Sequence, residues 1–206
     1  MTAPPLLEAD RLALSPGRHA GLDLLLSRRS VSQFREPAPN EAELALILEA
    51  GLRAPDHGRL RPWRFVIIRG DARAAFAELL IETIRQREPN PPAALIERQR
   101  SKIEGVPLVI AIGARIALDG PIPKIEQLLS AGAAAMNMLN AIHALGYGAI
   151  WVTGANTYDC RVNQALGFSW PDRLVGFLFT GTPQDPPRPV RRPPLADHVS
   201  EWTGTS

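Results

Sequence analysis

The run IEQLLSAGAAAMNMLNAIHAL, residues 125–145, constrains this chain more than any other stretch. It reads as one helix, and its middle, SAGAAAMNML, presents small residues on most faces. Side chains this short let a second backbone come unusually close, because the distance between packed elements follows the size of the residues at the contact. Such a helix therefore lies in a crowded place. Either it is buried within a single subunit, or it forms the core of a dimer. Gly146 and Gly148 end it before a short apolar strand, Ala149–Val152.

The rest of the chain alternates helices with short apolar runs. Leu22, Leu25 and Leu26 share a helical face that ends near Arg28. Asn40 can cap a second helix and Glu43 can complete a capping box, ahead of a stripe at Leu44, Ile47, Leu48, Gly51 and Leu52. Pro55 stops that helix. Phe65–Ile68 is a strand; Asp71 then caps a helix to about Arg87, with Phe76, Leu79, Leu80 and Ile84 inward. Beyond the EPNPP break come a polar helix ending near Glu104, a strand at Leu108–Ile112 and a loop over 113–124. A short helix around Arg161–Leu166 and a strand Leu174–Thr180 follow the small-residue helix and its strand. This is a mixed α and β pattern in one domain, residues 20–184. Residues 1–19 are a loose extension broken by Pro4, Pro5, Pro16 and Gly17. Residues 185–206 are a proline-rich tail that cannot form regular structure alone; its Val199 and Trp202 dock onto the chain's own body or a partner subunit.

Several chemistries are excluded. The net charge is only +2, with no basic run interleaved with aromatics, so nucleic acid is not the main partner. Cys160 stands alone, which rules out an internal disulfide and a cysteine-held zinc or iron–sulfur site. The four histidines form no HExxH pair, and there is no phosphate-binding GxxxxGK[ST] loop. Gly146-Tyr147-Gly148 lacks a third glycine and runs helix to strand, the reverse of a dinucleotide turn. Ser169 has no nucleophile-elbow context, and no close carboxylate pair suggests glycosidase work. The N-terminus does not read as a signal peptide and no apolar run approaches the roughly 20 residues that span a bilayer, so the expected setting is cytoplasmic, without a membrane partner.

Two groups of donors remain. Arg28, Arg29 and Ser30 follow a helix and offer two guanidinium forks and a hydroxyl, a match for the oxygens of a phosphate monoester; a solvated, dipole-favoured helix end is the alternative. Arg53 and His57 bracket Ala54-Pro55-Asp56, where the proline stiffens the loop, unless they serve only in surface pairs with Asp56. Only two of the 23 basic residues are lysines, Lys102 and Lys124, so anion contacts fall mostly to arginine. His143 reads as packed or capping.

Taken in order, RRSVSQF, APDHGRLRPWRFVII, SAGAAAMNMLNAIHALGYGAIWVTG and LVGFLFTGTP resemble the nitroreductase family of flavin enzymes, in particular its compact branch with RRS, RAPDH and PW motifs. The resemblance covers roughly residues 20–184. It implies an α+β fold with a central mixed β-sheet flanked by helices, and a homodimer in which the C-terminal tail wraps the partner subunit. It implies FMN at shared sites in the dimer interface. By position, Arg28, Arg29 and Ser30 would hold the phosphate and ribityl end from one chain. Arg53 and His57 would reach the flavin from the partner, and Trp151, Val152 and Thr153 would line the ring. The branch can carry Arg-Ser where Val152-Thr153 stands here. The implied activity is ping-pong hydride transfer from NADPH or NADH, through the flavin, to a small-molecule electron acceptor such as a nitroaromatic or quinone. A non-catalytic FMN store or redox sensor is the alternative.

Overall fold

The structure is a computed structural model that describes residues 16–186, 190–202 and 204. It divides into two compact units, a body of residues 28–185 and a second unit drawn from both termini. In the second unit, α1 spans Pro16–Ser27. It begins inside the segment expected to be loose, because a proline at the first helical position lacks only an N–H that would have no partner there anyway. Its Leu22, Leu25 and Leu26 are exposed. Among its described residues the C-terminal segment is irregular apart from a 3-10 turn at Leu195–Asp197, and its Leu195 and Trp202 are exposed. The rest of the expected N-terminal extension lies outside the described residues.

The body runs β1 (Phe34–Arg35), α2 (Glu41–Gly51), β2 (Trp63–Arg69), α3 (Ala72–Arg87), α4 (Ala93–Glu104), β3 (Leu108–Ala114), α5 (Lys124–Ala144), β4 (Gly148–Val152), α6 (Ala155–Tyr158), α7 (Cys160–Ala165) and β5 (Arg173–Pro183). The sheet order is β1-β5-β3-β2, with β4 also paired to β5. Every pairing among the described residues is antiparallel, where a mixed sheet was expected. The connections explain this. Two helical passes, α3 and α4, separate β2 from β3 and return the chain antiparallel. A single pass, α5, separates β3 from β4, so those two strands point the same way; but each bonds to β5 rather than to the other.

Both faces of the sheet are covered, and the alternation along β3 says by what. Leu108, Ile110 and Ile112 face α2 and α5 with Leu178, while Val109 and Ala111 face α3, α4 and α7 with Phe177 and Phe179. The large β3 side chains meet Ala135 of α5, while Ala131 and Ala134 pack with Ala54, Trp63 and Ala114, so these three alanines are fully buried within one subunit. On the other side of α5, Ile125, Leu129 and Met136 are exposed. On the opposite sheet face, Gly113 lies beneath the Phe168 ring, which leaves no space for a Cβ.

The capping box at α2 forms as expected: Glu43 N–H donates to Asn40 Oδ1 (3.0 Å) and Asn40 N–H to Glu43 Oε2 (2.8 Å). Tyr147 Oη donates to the same carboxylate at 2.8 Å, tying α2 to the turn after α5. Three local expectations differ. Asp71 makes no side-chain cap for α3. Leu52, at the frayed end of its stripe, is exposed. β2 begins two residues early, at Trp63, because Trp63 pairs with Ala114 and its ring is buried.

Candidate functional site

Arg28, Arg29 and Ser30 open the segment that runs along the free edge of β4. Val31 N–H donates to Ala149 O at 2.9 Å, and Gly148 leaves room for Val31, whose side chain would sit 3.0 Å from a Cβ there. Arg28 and Arg29 are half-buried, so they are not a merely solvated helix end, while Ser30 is exposed. The last turn of α5 adds His143 to this group. Burial first, then the charges of Arg28 and Arg29, hold its imidazole below the ordinary value of 6.5. Three potential cationic groups thus converge beside one strand, where burial and then the two guanidiniums disfavour the imidazolium.

A sign follows for pH. With the folded-state value lowered, the unfolded chain takes up the proton first as pH falls, so stability is expected to drop below pH 6.5. Urea midpoints measured from about pH 7.5 to about pH 5.5 should fall in the native chain and fall less in His143→Gln.

Trp151, Val152 and Thr153 lie at the far end of β4. The Trp151 indole rests 3.6 Å from the Cβ position of Gly132, occupies the space a side chain at Gly176 would need, and donates from Nε1 to Val175 O at 3.3 Å. Val152 points to the other face, into the α3/α4/α7 cluster, which accounts for an apolar residue there. Thr153 is exposed. Gly154 then turns the chain at φ 128°, with nothing within 4 Å of its Cβ position. Open space therefore lies beside the chain at Gly154.

Arg53 and His57 sit elsewhere. Their loop is fixed on the first turns of α5: Ser130 Oγ donates to Pro55 O at 2.8 Å, and Gly58, at φ 68°, lies against Ile122. Asp56 accepts from Arg61 N–H at 2.7 Å, and among the described residues no ion pair joins it to Arg53 or His57. His57 Nδ1 instead meets Glu126 Oε2 at 2.5 Å. An ionised carboxylate only accepts, so Nδ1 carries the hydrogen and Nε2 is the nitrogen left for a ligand. Both partners are well exposed, so Glu126→Ala is expected to cost less than about 1 kcal/mol of stability. The same substitution should nevertheless abolish the fixed Nδ1–H tautomer in imidazole 15N spectra.

The structure brings Arg28–Ser30 and Trp151–Thr153 to one strand, and holds the Arg53–His57 loop on Ser130, two residues from the Gly132 that Trp151 covers. Glu126 and His143 mark the two ends. They are seventeen residues apart on α5, about 26 Å at 1.5 Å per residue. Glu126, Ser130 and His143 joined these groups without a sequence signal, because they meet them only through the packing of α5. Among the described residues no cluster of His, Cys, Asp and Glu could hold a metal ion, and no helix is long and apolar enough to cross a membrane.

Comparison with known proteins gives a consistent result. A sequence model described as the Nitroreductase family matches residues 25–182. An Escherichia coli (strain K12) protein named "Putative NAD(P)H nitroreductase YdjA" is 40% identical over 163 residues, covering 79% of this chain and 88% of the relative. Among solved structures, a nitroreductase-like family protein from Bacillus cereus superposes with a TM-score of 0.76 at 20% identity, covering 95% of this chain and all of that one. A "putative nitroreductase in complex with fmn" from Desulfovibrio desulfuricans superposes with a TM-score of 0.69 at 26% identity, covering 92% and 98%.

Proposed function

Because the chain belongs to the nitroreductase family, we propose that it is an FMN-dependent oxidoreductase that draws electrons from NADH or NADPH and passes them to small acceptors such as nitroaromatics or quinones. The observation that carries this reading is the half-buried pair Arg28 and Arg29, with His143, on the strand whose far end is open at Gly154. Two forks and the Ser30 hydroxyl suit a phosphate monoester. Trp151–Thr153 suit the edge of a flat ring, chiefly through backbone groups, since Val152 turns its side chain away. When bound, FMN would supply the redox chemistry, hydride and electron exchange between the nicotinamide and the acceptor. The chain's own work is to bind, orient and shield.

The reading includes a homodimer with shared sites. On this reading Arg53 and His57, whose loop is held toward the N-terminal end of α5 while Arg28 and Arg29 lie by its C-terminal end, serve the flavin held by the partner's Arg28–Ser30 segment. The exposed Ile125, Leu129 and Met136 on α5, and the exposed Leu195 and Trp202 of the tail, are the surfaces such a partner would cover. A cytoplasmic setting, where NAD(P)H is supplied, fits the same reading.

The test is direct. Purified protein is loaded with FMN and mixed with NADH or NADPH without oxygen. Bleaching of the yellow flavin, and its return on adding a quinone, is the expected result. Bound flavin that stays oxidised would leave a flavin-binding protein without turnover, and failure to bind FMN would end the proposal.

A further inference from the structure

A cavity of about 560 Å³ opens beside the end of β4, and none of the residues assigned above to the flavin lines it. It adjoins that site at Val175, which lies in its wall and accepts the Trp151 indole bond. Its volume lies within the roughly 300–1,000 Å³ of small-molecule sites.

The wall is pre-formed. Asn163 donates to Thr157 O at 2.9 Å and to Asp159 O at 2.8 Å, and accepts from Leu174 N–H at 2.9 Å, which pins the 157–159 segment to the start of β5. Tyr158, Phe168 and Trp170 supply aromatic surface. Trp170 is 74% exposed and Tyr158 76% exposed, unusual for rings of this size.

The charged groups of the wall are two cations and one carboxylate. Lys124 makes no ion pair or hydrogen bond among the described residues. Thr157 is 2% exposed, and its Oγ1 is buried without a hydrogen-bond partner. Arg173 adds a second cation, its Nη1 already donating to Pro171 O and Asp172 O. The acidic residue of the wall, Asp172, is committed elsewhere, accepting from Ile116 N–H at 2.9 Å and lying 3.8 Å from Arg115. Aromatic walls and an unpaired ammonium call for a planar ligand bearing a negative charge. A neutral ring would leave Lys124 as it is, whereas a carboxylate accepts from it.

We propose that this cavity selects an aromatic acceptor carrying a carboxylate or similar anionic group, with Lys124 as the charge-reading residue. The inference rests on the oxidoreductase reading for the word acceptor, but not for the binding preference. Lys124 lies outside the flavin-holding residues, so replacing it should leave FMN uptake and bleaching unchanged.

The probes are 4-nitrobenzoate and its neutral counterpart 4-nitrobenzamide. Quenching of tryptophan fluorescence reads their binding to the purified protein, and KM reads them in turnover. Native protein is expected to favour the benzoate by about tenfold or more, the scale of one charge-assisted bond. Lys124→Met should level the two probes, with kcat for the benzamide unchanged. Equal binding of the probes by native protein overturns the proposal, as does a preference that survives in Lys124→Met. If bleaching fails while the binding preference holds, the oxidoreductase reading falls and the anion-selecting cavity stands. If bleaching succeeds without the preference, only the cavity proposal falls.

Discussion

Protein carrying both Arg28→Ala and Arg29→Ala is expected to purify colourless and to bind FMN about 10²- to 10⁴-fold more weakly than the native chain. The estimate takes each guanidinium–phosphate contact as roughly 1.5–3 kcal/mol, and every 1.4 kcal/mol as about tenfold. Fluorescence titration with FMN measures the loss. Riboflavin provides the control that separates phosphate recognition from damage to the fold: lacking the phosphate, it should bind native and variant protein with equal, weak affinity. The paired lysine variant should recover only part of the loss, since an ammonium supplies the charge without the planar fork. An FMN affinity within about threefold of native would remove these two residues from the site.

The second large effect is on stability. A Cβ at Gly113 would lie 2.1 Å from the Phe168 ring, and Phe168 is itself 3% exposed in the densely packed face beneath α3 and α7. Gly113 is on β3, which is bonded to β2 on one side and β5 on the other, so the backbone has little freedom to retreat. Gly113→Ala is therefore expected at or above the upper end of the usual overpacking cost, about 3 kcal/mol. That is a large share of the roughly 5–15 kcal/mol that holds a domain together. Chemical denaturation should show a matching fall in midpoint. Phe168→Leu, destabilising alone, should recover part of the loss when combined with Gly113→Ala, giving a coupling that independent sites would not show. Gly120→Ala, where nothing lies within 4 Å of the added carbon, should be close to neutral.

These two cases also mark how far the sequence could be read. Helix α2 was legible to its cap because the capping box is local: Asn40 and Glu43 are three residues apart and need no tertiary partner. The strand cores and the small-residue helix were legible for the same reason, since periodicity and composition belong to a single segment. The antiparallel sheet was not, because strand direction depends on how many helical passes intervene and on which neighbour each strand selects. Arg28, Arg29 and Ser30 were visible as donors, yet their setting beside Ala149 and His143 arises from contacts across more than a hundred residues. Gly113 carried no sign of its importance. Only the ring of Phe168, fifty-five positions away, gives that glycine its meaning.

The length of α5 has a genetic consequence. If each catalytic centre takes Arg28 and Arg29 from one subunit and Arg53 and His57 from the other, then two dead proteins can repair one another. A chain lacking the first pair and a chain lacking the second would each be inactive alone. Unfolded and refolded together, they would form mixed pairs in which one centre receives all four intact residues and the other none. Mixing should restore about a quarter of native turnover, since roughly half the dimers are mixed and each carries one working centre of two. Were all four residues drawn from the same polypeptide, no mixture of the two variants would recover any activity.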